Sequence, residues 1–149
     1  MLERRYERPN DFEVSILLFK PEFNFLPEAD KDRLKNLVES YGKTLFVFQL
    51  ILDRETARKL WQEAIGHFPW AESYYNHMSS APCIAIVLRD ANLAEKLKKE
   101  IRLQMSDFIS RIQKNLGCDF IPDLVHGSCP QCGLHEFQIL FSQVINFIN

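Results

Sequence analysis

The sequence is poor in glycine and proline, with 5 and 7 among 149 residues, which excludes a repeat fibre or a low-complexity chain. It has no long hydrophobic run. The longest, such as Thr44 to Leu52, is strand-sized and far short of the ~20 apolar residues of a membrane-spanning helix. It has no excess of charge: 18 basic against 20 acidic residues leave a net −2 and no footprint for bulk nucleic-acid binding. A small anionic ligand needs only a local cluster and stays open. The first eight residues, Met1 to Arg8, carry too much charge for the apolar core of a signal peptide, so a cytoplasmic, reducing compartment is expected. The four cysteines then read as free thiols or metal ligands rather than as a disulfide framework.

A chain of this length with 46% hydrophobic and 26% charged residues fits one domain with its own core, here residues 1–149 with an irregular extension over 1–12. Alternation of apolar types predicts strands over 13–20, 44–52, 82–88 and 136–142. Leu34, Leu37, Val38 and Tyr41 follow i, i+3, i+4, i+7 spacing and predict a helix over 29–41. Asp53 is placed to cap a helix that Gly66 ends, and Pro69 to open a short one to His77. Asn92 with Glu95 forms a capping-box variant. One helical stripe, from Leu97 to Leu116, then holds over residues 92–116, with Ser106-Asp107 as a point of division into two helices. Residues 117–125 read as a loop. The order β-α-β-(α-α)-β-α-β describes an α/β sandwich of the ferredoxin-like kind: a four-stranded antiparallel sheet with helices on one face.

Two places carry chemistry. In His126-Gly127-Ser128 the imidazole beside a glycine is sterically open, and the neighbouring hydroxyl can bond an incoming anion. That suits a nucleophilic histidine; a surface histidine in a glycine turn has the same sequence. Lys20 ends an apolar strand and is followed by Pro21-Glu22, so its ammonium either points into a cleft and neutralises phosphate or is a solvated strand end.

These residues resemble the nucleoside diphosphate kinase family over about residues 12–142. Lys20-Pro21-Glu22 stands for the family's Lys-Pro-Asp. Met78-Ser79-Ser80-Ala81-Pro82 stands for its Met-x-Ser-Gly-Pro turn. Asp123-Leu124-Val125-His126-Gly127-Ser128 stands for its Asn-x-x-His-Gly-Ser, and Glu136 for the glutamate that opens its final apolar strand. The resemblance implies a phosphorylated nucleophile at His126 and a phosphate-neutralising Lys20. It also implies that Glu136 fixes the imidazole tautomer, with Ser128 supporting that glutamate or the phosphate. Trp70 falls where the family stacks an aromatic ring on the base, and core packing is its other reading. Lys98 falls near the family's first phosphate arginine. Gln113 falls at its second, with Arg111 and Lys114 close by, and Gln62 at its tyrosine. Asp123 replaces an asparagine, and a carboxylate there repels a triphosphate.

The implied activity is ping-pong phosphoryl transfer from a nucleoside triphosphate to a nucleoside diphosphate, with Mg2+ on the nucleotide and a homo-oligomeric assembly. The alternative is a catalytically weak or inactive nucleotide- or protein-binding module of the same fold. A competing reading of the same stretch takes His126, Cys129, Cys132 and His135, at strict three-residue intervals, as tetrahedral zinc ligands. A redox pair at Cys129 and Cys132 is a third reading, without an expected strand-to-helix context. Simple thiols are the fourth. The run Lys96 to Arg102 reads as a solvated helix face that could also meet phosphates.

Overall fold

The computed structural model describes residues 13–116 and 120–148. The expected extension over 1–12 and the first residues of the loop at 117–119, Cys118 among them, lie outside these. In chain order the elements are β1 (Ser15–Phe19), a 3-10 turn (Pro21–Phe25), α1 (Glu28–Ser40), β2 (Thr44–Leu50), α2 (Arg54–Ile65), α3 (Ala71–Met78) and β3 (Cys83–Leu88). They continue with α4 (Leu93–Gln104), α5 (Ser106–Leu116), β4 (Val125–Gly127), α6 (Gly133–Phe141) and β5 (Val144–Ile148). The strands form one antiparallel sheet in the order β4-β1-β3-β2-β5. None of the described helices is long and apolar enough to cross a membrane.

β1 is buried at every position, and β3 at nearly all, so both faces of the sheet must be covered. Leu17, Phe19, Ile86 and Leu88 face Leu34 and Val38 of α1, Leu97 and Ile101 of α4 and Phe108 and Ile112 of α5. Ile16, Leu18, Phe48 and Val87 face Trp61 of α2, Tyr74, Tyr75 and Met78 of α3 and Leu140 of α6. The helices therefore lie on both faces, not on one as expected. The two faces of β1 make this a three-layer arrangement, and the two apolar sets on alternate residues are its cause.

Several boundaries follow local chemistry. The Asp53 carboxylate accepts the Thr56 amide at 2.7 Å and caps α2 as its position suggested. Asn92 precedes α4 but makes no capping bond with its side chain; its own amide is held by Asp90 at 2.8 Å. The long stripe divides at Met105, where φ −105° and ψ 19° leave helical geometry, one residue before the expected point.

The C-terminal third corrects the expectation most. Residues 136–142 are not a strand: they lie in α6, where Phe137 and Phe141 pack i, i+4 with ring centroids 5.3 Å apart. Phe137, Ile139 and Phe141 also fit a period of two, and a short apolar run does not separate the two periods. The last strand is β5, which adds to β2. β4, three residues long, begins at Val125, the last residue of the stretch expected as a loop, and runs to Gly127. The sheet thus has five strands rather than four.

The start of α6 is fixed by a close approach. A Cβ on Gly133 would stand 1.8 Å from the Val14 carbonyl oxygen, so only glycine lets the helix rest against the entry to β1. Gly133→Ala is expected to cost about 1–3 kcal/mol of stability, as forced overpacking does. Urea melts of the two proteins check this, and equal midpoints would refute it.

Candidate functional site

The site is organised by the pairing of β1 with β4. Leu18 stands opposite His126, and the ladder continues with the Lys20 amide donating to the Leu124 carbonyl at 2.9 Å. Side chains two apart on a strand share a face. His126 and Lys20 therefore project to the same side of the sheet, over α2 and α3. The edge of the Trp61 ring meets His126, with centroids 5.4 Å apart, and Trp61 in turn meets Tyr74 at 5.4 Å. The Lys20 ammonium lies 5.1 Å from the Tyr74 ring centre.

His126 is one-fifth exposed, and its Nε2 is 2.8 Å from Glu136 Oε1 in the first turn of α6. An ionised carboxylate only accepts hydrogen bonds, so the proton sits on Nε2 and the lone pair on Nδ1. The Glu136 side chain is itself only 13% exposed, which keeps this contact from being exchanged for water.

Lys20 is 6% exposed, which sets aside its reading as a solvated strand end. Its Nζ lies 2.5 Å from Asp123 Oδ1, and the other Asp123 oxygen accepts from Arg102 of α4. Arg102 also donates to the Val125 carbonyl at 3.1 Å. Burial alone would lower the Lys20 pKa. The charges of Tyr74, Asp123 and Glu22 and the Asp123 hydrogen bond outweigh it and hold the ammonium above its ordinary range. Tyr74 acts this way only where its phenol ionises, and burial raises that phenol's pKa, so at neutral pH the two carboxylates hold the charge.

Glu22 is fully buried. One oxygen meets His77 Nε2 at 2.6 Å; the other accepts the Leu124 amide at 3.2 Å. Leu124 has φ 74°, a left-handed conformation costly for a leucine, and the Glu22 and Lys20 bonds hold it there. Burial pushes the Glu22 carboxyl up, but the His77 hydrogen bond and the Lys20 and His77 charges outweigh it and bring its pKa below the usual range.

Other expected site residues are placed differently. Ser128 is fully buried, with its Oγ 2.8 Å from the Ile16 amide and its own amide on the Ile16 carbonyl at 2.9 Å. It continues the β1–β4 contact rather than touching Glu136 or open space, because Ser128 follows the strand directly. Trp70 precedes α3, half-buried, and stacks on Phe68 at 4.8 Å and 11°, so one face of the ring is already covered. Lys98 packs its Cβ toward Gly127; burial first, then repulsion by Arg102, lower its pKa. Arg111 and Lys114 are exposed on α5, whose apolar stripe packs on the sheet face opposite His126. Arg111 lies over Phe108 at 5.7 Å, away from the His126 face. Gln113 donates to the Pro122 carbonyl at 3.2 Å, and Gln62 is exposed.

The cysteines also depart from expectation. Cys129 and Cys132 form a disulfide, their Cα atoms 5.1 Å apart, instead of standing as thiols. Cys83 is a buried free thiol whose pKa burial pushes up to about 12. The arrangement expected for zinc is used otherwise, since the two sulfurs are bonded to each other and His126 Nε2 is taken by Glu136. Among the described residues no group of three or more His, Cys, Asp or Glu side chains could hold a metal ion.

Sequence reasoning missed Arg102, Glu22, Trp61 and His77. Arg102 was visible only as the end of a basic run. Glu22 stood in the Lys20-Pro21-Glu22 motif, but nothing in the spacing says that it turns inward to Leu124.

Because the folded Glu22 pKa lies below its unfolded value of 4.5, its contribution to stability is present above that value and is lost as pH falls through the folded pKa. Glu22→Gln should cost about 1–3 kcal/mol at neutral pH and flatten the acid limb. Urea melts at about pH 7 and about pH 3 test it; parallel pH profiles for the two proteins would exclude this role.

No protein-family model matches the chain, and no relative is found among curated proteins. The fold does match solved structures. A halophilic nucleoside diphosphate kinase from Halobacterium salinarum in complex with CDP aligns at TM-score 0.55 and 18% identity over 92% of this chain and 93% of its own. The nucleoside diphosphate kinase of Aquifex aeolicus aligns at 0.52 and 14% over 89% and 99%. An NDP kinase from Pyrobaculum aerophilum aligns at 0.62 and 14% over 85% and 94%. The fold of this chain is thus the α/β sandwich of the nucleoside diphosphate kinases.

Proposed function

We propose that the protein is a nucleoside diphosphate kinase-like phosphotransferase with His126 as its nucleophile. The observation that carries this reading is the 2.8 Å contact between His126 Nε2 and Glu136 on that fold. With the proton held on Nε2, the Nδ1 lone pair attacks the γ-phosphorus of a nucleoside triphosphate. The bond from that phosphorus to the bridging oxygen breaks, and the nucleoside diphosphate leaves. A terminal oxygen of an acceptor nucleoside diphosphate then attacks the phosphohistidine and restores Nδ1. Glu136 accepts the Nε2–H hydrogen bond throughout and offsets the charge that grows on the ring. Lys20, on the same face two residues along the ladder, is the cation nearest in register for the transferring phosphoryl group.

Magnesium fits this site as part of the substrate. Both Asp123 oxygens are occupied by Lys20 and Arg102, so the nucleotide's own phosphates would hold the ion. Bound there, it spreads their charge. Nucleoside di- and triphosphates are the partners this chemistry requires, and a cytoplasmic setting supplies them.

The second reading, a binding module with little or no turnover, draws on the same ion cluster. Lys20 and Arg102 are both already paired with Asp123, and Gln113 stands in place of a phosphate arginine.

Incubation with γ-labelled ATP and magnesium is expected to give an acid-labile, base-stable phosphoenzyme that His126→Ala abolishes. Glu136→Gln should slow labelling by about 100-fold or more, since an amide can donate to Nε2 and invert the tautomer. Demonstrated ATP binding without label would leave only the binding module. A separate expectation concerns the cluster. Asp123→Asn should raise nucleotide affinity by freeing Lys20, at a stability cost of about 1–3 kcal/mol. Calorimetric titration with a nucleoside diphosphate reads the first and thermal melting the second; lower affinity would show that the carboxylate serves binding.

A further inference from the structure

The pair Cys129 and Cys132 is not absorbed by the function above, and the fold gives it a context that its sequence did not show. It lies between a strand and a helix: β4 ends at Gly127, and α6 begins at Gly133 with Cys132 in the capping position. The Cys132 amide bonds the Cys129 carbonyl at 2.9 Å, so the pair sits in one tight turn. Pro130 and Gln131 between them are exposed, and both cysteines are half-buried. A groove of about 420 Å³, lined by Pro130, Gln131, Gly133 and Leu134 among others, runs beside them.

We infer that Cys129–Cys132 is a reversible dithiol–disulfide site that sets the hydrogen bond between His126 and Glu136. Two observations support it. First, a disulfide that spans a sequence separation of three closes almost no loop, so it removes little entropy from the unfolded chain and adds little as a structural staple. Pairs that an outside thiol can reach are the exchangeable ones, and here the half-buried sulfurs lie in a surface turn whose Pro130 and Gln131 are exposed. Second, the pair stands on the path that joins His126 to Glu136. His126 lies three residues before Cys129, and the Glu136 amide donates to the Cys132 carbonyl at 3.0 Å in the first turn of α6. The sulfur–sulfur bond shortens the chain between nucleophile and carboxylate, and its cleavage lengthens it.

The step balances with a dithiol as co-reactant. One thiolate of the dithiol attacks the Cys129 sulfur. The sulfur–sulfur bond breaks, and Cys132 leaves as a thiolate favoured by the amides at the start of α6. The second thiol of the dithiol then displaces Cys129 from the mixed disulfide. The dithiol becomes a cyclic disulfide, its two electrons pass to the protein sulfurs, and its two protons end on Cys129 and Cys132.

This inference does not rest on phosphoryl transfer, and its test uses none. A Cys118→Ser protein, which leaves Cys83 as the only other thiol, is treated with dithiothreitol without denaturant and then alkylated. Mass spectrometry should find two new labelled cysteines, at Cys129 and Cys132, while the amide NMR spectrum stays that of a folded chain. The imidazole 15N signals of His126 should shift on reduction toward those of a ring exchanging between tautomers. Reoxidation should restore them, and Cys129→Ser with Cys132→Ser should reproduce the reduced spectrum. A disulfide that opens only in denaturant would overturn the proposal. So would full reduction that leaves the His126 signals unmoved.

Discussion

The contact on which the site depends is the Asp123 carboxylate held between Lys20 and Arg102. It joins three elements through one side chain: the end of β1, the last turn of α4 and the segment that leads into β4. A buried ammonium without a partner is costly, so the position of Asp123 is dictated by Lys20 as much as the reverse. Glu22 completes the frame from below. It turns Leu124 into a conformation that leucine avoids, and from that turn the chain enters β4 in the register that sets His126 opposite Leu18. His126 is thus aimed by charges that never touch it.

The same frame explains a tension in the chemistry. A cation that stabilises a transferring phosphoryl group must be free to meet it, whereas Lys20 is already paired. The carboxylate that seemed from sequence to be a mere defect in a phosphate site is the partner that keeps Lys20 charged in an apolar setting. On the proposed reading, phosphoryl transfer and packing therefore compete for one ammonium. On the opposite side of the sheet, Arg111 and Lys114 are removed from the contest by the stripe of α5, because a helix with one apolar face has no freedom to present its polar face to the site.

Much of this was legible in the sequence. The strands β1, β2 and β3 and the Asp53 cap showed themselves through spacing and residue type. The pairing of His126 with Glu136 was legible through resemblance alone, since a separation of ten residues means nothing until the intervening chain is known to be a turn and the start of a helix. What remained hidden has physical reasons. β4 is too short to show a period. The α6 segment fits both periods, and only Gly133 against Val14 settles which one it follows. Helices on both faces were implied by β1, apolar at four successive positions from Ile16 to Phe19, more strongly than the short connections implied one face. Ser128 was assigned to catalysis because a hydroxyl beside a histidine suggests it, yet an unmade bond at the Ile16 amide would have cost more than a spare hydroxyl gains.

The left-handed turn at Leu124 has a consequence for the order in which the molecule can be built. Its two props, the Glu22 carboxylate and the Lys20 amide, lie about a hundred residues earlier in the chain. Contacts of that separation close last, after the local helices and the β2–β3 pairing have shortened the effective loop. A growing chain that has finished β1 therefore holds Lys20 and Glu22 beside an apolar strand with no partners for either. Until residues 123–125 arrive, Lys20 lacks Asp123 and that edge of the sheet stays wet, so the edge that carries His126 is the seam at which the fold shuts.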